Sequence, residues 1–127
     1  MDLALTFEDD VDTEFNKMKA KHLRWIVFKT NDSQDTVSVE SIGERDSTFD
    51  DFKAAIPKAE PRWAVYEIEF MRPDGSSGNK IVLFHYSPDD YYGPLKFFFA
   101  TAKAKVESHF IGVNKSKQVR RDVIGYR

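Results

Sequence analysis

Two strand-like runs, "RWAVYEIEFMR" over residues 62–72 and "KIVLFHYS" over residues 80–87, are joined by "PDGSSG". This pairing limits the fold more than any other feature of the chain. The first run alternates, with Trp63, Val65, Glu67 and Glu69 on one face and Ala64, Tyr66, Ile68 and Phe70 on the other, as a period of two requires. The second is nearly continuous in apolar residues, the pattern of a central strand covered on both faces. Gly, Pro, Asp and Ser between them supply a flexible turn. A sheet buried on both sides needs helical layers to bury it.

The remaining periodicities provide those layers. Val11, Phe15 and Met18 give an i, i+4, i+7 stripe and predict a helix over Asp10–Lys21, with acids near its N-terminus where the helix dipole favours them. "LRWIVFKT" (Leu23–Thr30) reads as a strand and "NDSQ" as a turn, and "TVSVESI" (Thr36–Ile42) then alternates as a half-buried return strand. In "STFDDFKAAIP", Ser47 or Thr48 caps a short helix, Phe49, Phe52, Ala55 and Ile56 face inward, and Pro57 stops it. "GPLKFFFATAKAKVESHF" (residues 93–110) is the long helix, with Pro94 in its first turn and Gly112 beyond its end. These elements predict one α/β domain over residues 1–127, a central mixed, mostly antiparallel β-sheet flanked by α-helices on both faces.

The long helix poses a packing problem. Three adjacent phenylalanines, Phe97, Phe98 and Phe99, cannot share one face when successive residues turn by about 100°. With Phe99 inward, Leu95, Ala102, Val106 and Phe110 complete a core stripe. Phe97 then lies roughly 160° away, on a face shared with the small residues Thr101, Ala104 and Ser108. An outward aromatic beside small residues suits close approach by another protein.

Composition narrows the function classes. The chain has 127 residues, no cysteine and a formal net charge of −2. Disulfides, thiolate metal sites and cysteine nucleophiles are therefore excluded, and a bulk electrostatic nucleic-acid binder is not expected. No apolar run approaches the ~18–20 residues of a membrane span, and the opening "MDLALTFEDD" is not a secretory signal, so the expected location is the cytosol. The segment from 114 to 127 reads as a solvated basic tail carrying Lys115, Lys117, Arg120 and Arg121, able to meet an acidic partner or anionic lipid.

The residues of catalysis are poorly represented. His22, His85 and His109 lack metal-ligand spacing, and His85 reads as a satisfied core or boundary residue. The doublets Asp9-Asp10, Asp50-Asp51 and Asp89-Asp90 fall near helix starts or turns, where capping accounts for them. "PDGSSG" is a hairpin loop rather than a phosphate cradle. Neither an enzyme, a metal site nor a cofactor is expected.

In order and spacing, "EFNKMK", "RWIVFKTND", "TFDDFKAAIPKAEPRWAVYEIEF", "NKIVLFHYSPD" and "ATAKAKVESHFIGV" resemble the actin-depolymerising factor/cofilin family, the ADF-homology fold, over residues 5–113. The resemblance implies binding to actin through the long helix, the N-terminal segment (Leu3, Ala4 and Leu5) and the stretch before the long helix. Phe97 then occupies a position where the family commonly places a methionine facing actin. Lys96 matches a basic contact residue, whereas a second basic position is here Pro94. Thr101 and Ala102 match a pair of small residues beside actin, Thr101 being the more outward. The family's regulatory serine falls at Leu3, and the nearby Thr6 is not the motif position.

For the family's filament site, Lys80 matches one basic position and Gly78 replaces another, while the final residues do not resemble the family's last strand and helix. These matches imply a monomeric protein of the actin cytoskeleton that binds actin monomers and promotes filament disassembly, with weakened filament binding and severing. Two other readings keep the fold and change the partner. One is the branch-nucleating actin-related complex. The other is a phosphoinositide-bearing membrane surface met by Lys80 and the basic tail.

Overall fold

The computed structural model describes residues 5–31, 35–88, 95–110, 112–113 and 115–119, with side chains at 95–98 and 115–119 excepted. In chain order the elements are β1 (Thr6–Phe7), α1 (Asp9–Lys19), β2 (Leu23–Thr30), β3 (Thr36–Glu44), α2 (Phe49–Ala55), β4 (Arg62–Met71), β5 (Ser77–Tyr86), α3 (Leu95–His109) and β6 (Lys115–Val119). The strands form one sheet in the order β1-β3-β2-β4-β5-β6. Its edge pairs, β1 with β3 and β5 with β6, are parallel, and the three inner pairs are antiparallel. The mixed, mostly antiparallel α/β architecture expected from the sequence is the one observed.

Alternation along the strands sorts the core into two halves. Trp63 and Val65 point to the side on which α1 lays Val11, Phe15 and Met18 and α3 lays Phe99, Ala102 and Val106. Ala64 and Tyr66 point to the opposite side, where Phe52 and Ile56 of the α2 region pack with Trp25, Val27 and Phe84. Helices thus cover both faces, and β4 and β5 carry apolar residues toward each.

Local chemistry fixes the element ends. Helix α1 stops at Lys19, two residues before Lys21, because Lys21 takes a left-handed φ of 67°. Its N–H then reaches the Met18 carbonyl at 2.9 Å and the His22 N–H reaches the Lys17 carbonyl at 2.8 Å, which terminates a helix by satisfying its last carbonyls. Helix α2 begins with a capping box. Thr48 Oγ1 accepts from the Asp51 N–H at 3.1 Å, and the Asp51 carboxylate accepts from the Thr48 N–H at 3.1 Å. Strand β3 runs on to Glu44, beyond the expected end at Ile42. It can do so because Gly43 passes beneath the Trp25 indole, where a Cβ would lie 2.1 Å from Nε1.

The reading of residues 114–127 as a solvated tail is corrected for Lys115–Val119, which form β6 paired to Val82–Tyr86 of β5. At the other edge, β1 was not expected either. It is two residues long, held by Thr6 N–H to the Asp35 carbonyl at 2.7 Å and Glu8 N–H to the Val37 carbonyl at 3.0 Å.

The far half of the β4–β5 hairpin stands apart from this sheet. Strand β2 pairs with β4 through Trp63–Tyr66, and β6 pairs with β5 through Val82–Tyr86. Among the described residues, the two strands pair from Glu67 to Ile81 only with each other, so this segment is a two-stranded ribbon extending from the six-stranded sheet.

Candidate functional site

Helix α3 is anchored on the sheet by an aromatic and polar stack. The Phe99 ring lies on the Trp63 indole, with centroids 4.0 Å apart and planes within 12°. Trp63 Nε1 donates to His85 Nδ1 at 3.1 Å, so the His85 ring proton sits on Nε2, which lies 3.5 Å from a Glu107 carboxylate oxygen. Burial is the largest influence on His85 and pushes its pKa down to about 4, against the opposing charge of Glu107. The residue is a satisfied core histidine, as its apolar strand neighbours suggest.

With that inner face fixed, the outer face follows from helical geometry. Phe99, Ala102, Val106 and Phe110 are buried, and Thr101, Ala104, Lys105 and Ser108 are exposed. Of the pair Thr101 and Ala102, only Thr101 offers surface. Ala102 has 0% exposure, which corrects its place among the contact residues; its small size lets the helix lie close to the sheet. Lys96 and Phe97 belong to the first turn of α3, and their side chains lie outside the described residues. Pro94 and the Asp89-Asp90 pair lie outside them too.

The N-terminal segment is brought to the C-terminal half of α3. Phe7 stacks on His109 with centroids 3.7 Å apart and planes within 5°, and His109 Nε2 lies 2.7 Å from the Asp12 carboxylate of α1. Leu5 is half-buried against the core and with Phe7, Lys105, Ser108 and His109 lines a shallow hollow of about 280 Å³. The sequence-predicted contact Leu5 therefore adjoins the outer face of α3. Leu3 and Ala4 lie outside the described residues. The Phe7–His109–Asp12 array was not foreseen, since its members are far apart in sequence.

Lys80 lies elsewhere, on the ribbon, with Nζ 5.7 Å from the Phe70 ring centroid. At the ribbon's root is a buried carboxylate. Glu67 is 1% exposed and accepts from Arg45, from Asn79 and, at 3.4 Å, from Lys21 Nζ. Burial works to raise its pKa, but the hydrogen bonds from Arg45 and Asn79 and the charges of Arg45 and Lys21 outweigh it, and the net shift is downward. Arg24 donates to the Glu67 carbonyl at 3.2 Å and to the Glu69 carboxylate at 2.6 Å. Alternation placed Glu67 on the α1 side of the sheet, while its cationic partners come from distant parts of the chain. Lys115 and Lys117 fall on β6, their side chains outside the described residues, as are Arg120 and Arg121 entirely.

Among the described residues no group of three or more acidic or histidine side chains is placed to hold a metal ion. No helix there is long and apolar enough to cross a membrane. The sequence-predicted residues that are described fall on two surfaces: an exposed helix face with its adjoining N-terminal segment, and the separate ribbon that carries Lys80.

Comparison with known proteins places this mixed sheet with helices on both faces in the ADF-homology class. The family of cofilin/tropomyosin-type actin-binding proteins matches residues 4–122, beyond the 5–113 over which the resemblance was read. An actophorin of Entamoeba histolytica is 32% identical over 111 residues, spanning 87% of this chain and 80% of that protein. Actin-depolymerizing factor 8 of Arabidopsis thaliana is 32% identical over 111 residues, spanning 87% and 79%. The crystal structure of Streptomyces griseoflavus cofilin superposes with a TM-score of 0.81 at 26% identity, covering 91% of this chain and 86% of that one. The chain belongs to the ADF/cofilin family of actin-binding proteins, a non-enzymatic class.

Proposed function

We propose that this protein binds actin monomers through the outer face of α3 and the adjoining N-terminal segment, and that it promotes filament disassembly. The observation that carries this reading is the division of α3 into a buried stripe and an outer face of small residues, Thr101, Ala104 and Ser108, with Leu5 beside it. Small side chains let a partner approach the helix backbone closely, and an aromatic anchor at one end concentrates binding energy. Phe97 is that anchor by helical periodicity, and Lys96 supplies a charged rim contact that governs association rate more than affinity.

Filament contact falls to the ribbon, and because the final residues do not resemble the family's last strand and helix, filament affinity lies below monomer affinity. The actin cytoskeleton is the corresponding location, and the protein acts as a monomer.

Titration with monomeric actin tests the reading. Thr101→Arg, which places a bulky cation on the small face, and Phe97→Ala should each weaken binding by about tenfold or more, equivalent to about 1.4 kcal/mol. Wild-type affinity in both variants, or no binding by the wild type, would send the assignment to another partner such as the branch-nucleating complex.

A further inference from the structure

Of the arginines among the described residues, Arg24, Arg45 and Arg62 are committed to glutamates within the fold: Arg24 to Glu69 at 2.6 Å, Arg45 to Glu67 and Glu69, and Arg62 to Glu40 at 2.7 Å and Glu60 at 3.1 Å. Arg72 is not. Its guanidinium donates to the Ser77 carbonyl and to Ser76 Oγ at 3.4 Å, and among the described residues no carboxylate lies within ion-pair distance of it or of Lys80. The nearest acid in the turn, Asp74, is occupied by the Ser76 N–H at 2.9 Å and Ser76 Oγ at 2.7 Å.

Both cations converge on one aromatic ring. The Arg72 guanidinium carbon is 5.5 Å and Lys80 Nζ 5.7 Å from the Phe70 centroid. Strand register explains why. Phe70 faces Gly78, Ile68 faces Lys80, and a period of two puts Phe70, Arg72, Gly78 and Lys80 on one face of the ribbon. Gly78 makes the arrangement possible, because a Cβ there would lie 2.7 Å from Arg72 Nη2 and 2.7 Å from Phe70 Cζ. The space that a side chain at position 78 would take is filled from the opposite strand. Phe70 itself remains 37% exposed and its neighbour Met71 76% exposed.

We propose that Arg72 stands in for the cation missing at Gly78, and that Arg72 and Lys80, held on Phe70, form a paired cationic contact for an acidic face of the actin filament. The inference rests on the actin-binding reading above and assigns a new residue to its filament contact. Charge complementarity selects the partner: two cations with no carboxylate partner among the described residues, set on a partly exposed aromatic ring toward the end of the ribbon, match an acidic protein surface with room for an apolar ring. The guanidinium is already fixed by the ribbon backbone, so little side-chain freedom is lost on binding.

Filament co-sedimentation and monomer titration, run in parallel on the full chain, test this with Arg72→Ala, Lys80→Ala, the double variant and Arg72→Lys. Each single alanine variant should weaken filament binding by about three- to fivefold, the yield of one well-placed surface ion pair. The double variant should lose more and show a flatter salt dependence. Arg72→Lys should retain part of the affinity, and monomer affinity should stay within about twofold throughout. If Arg72→Ala pellets with filaments as the wild type does while Lys80→Ala is weakened, Arg72 has no such role and the actin reading survives. Binding of the wild type to neither monomers nor filaments would remove that reading and this inference together. Loss confined to binding of phosphoinositide-containing vesicles, with filament binding intact, would assign the cations to a membrane and overturn the proposal.

Discussion

Single residues here do work that their neighbours in sequence do not announce. Glu67 is the sharpest case, a carboxylate sealed from solvent at the root of the ribbon and satisfied by Arg45, Asn79 and Lys21. A buried acid with cationic and amide donors holds its charge in the fold, and removing it strands those donors. Lys21 is exposed and Arg45 partly so, so water can replace some of what is lost. Glu67→Ala should therefore cost roughly 2 kcal/mol, read from the urea unfolding midpoint, with the ribbon amides exchanging faster than those of β2. An unchanged midpoint would mean that the cluster is incidental to stability.

At the scale of elements, α2 and α3 show what sequence pattern can and cannot supply. The start of α2 was legible from "STFDDF", where Ser47 or Thr48 reads as the cap, because capping chemistry is local; the structure selects Thr48 and completes the box with Asp51 at N3. Thr48→Ala should cost about 1 kcal/mol and loosen α2 without disturbing α3, which amide exchange would distinguish. The stripe of α3 was equally legible, since periodicity separates Phe99, Ala102, Val106 and Phe110 from Thr101, Ala104 and Ser108. Strands β1 and β6 were not. A strand of two residues carries no periodicity, and "KSKQV" has one apolar residue, so each is defined by its pairing with a distant strand rather than by its own pattern. The Arg72–Phe70–Lys80 group escaped for the same reason: a glycine reads as a loss until the opposite strand is seen to fill its place.

The whole molecule couples these parts through an array that runs from the core to the flank of the long helix, Phe99 on Trp63, Trp63 to His85, and His85 to the partly exposed Glu107, which ties that helix to the centre of the sheet. Burial lowers the pKa of His85 from 6.5 to about 4. As pH falls through 6.5 the unfolded chain takes up a proton there, and the native state does not until about pH 4. Stability is thus fully present above this window and declines across it. Between about pH 7 and pH 5 the loss should be roughly 1–2 kcal/mol, measured as the urea midpoint. His85→Gln should flatten the dependence in that interval. The lowered carboxyl of Glu67 stabilises the fold fully above its ordinary value of 4.5 and loses that contribution as pH falls further, so its effect follows that of His85 toward lower pH.

The proposed function requires that actin be met by the α3 side of the molecule. Amide hydrogen exchange of the full chain, free and bound to monomeric actin, tests it most directly. Slowed exchange should appear at residues 5–7 and along α3, with the amides of α2 unchanged. Slowed exchange at α2, with residues 5–7 and α3 unaffected, would place the partner on the opposite face and rule out the α3 surface.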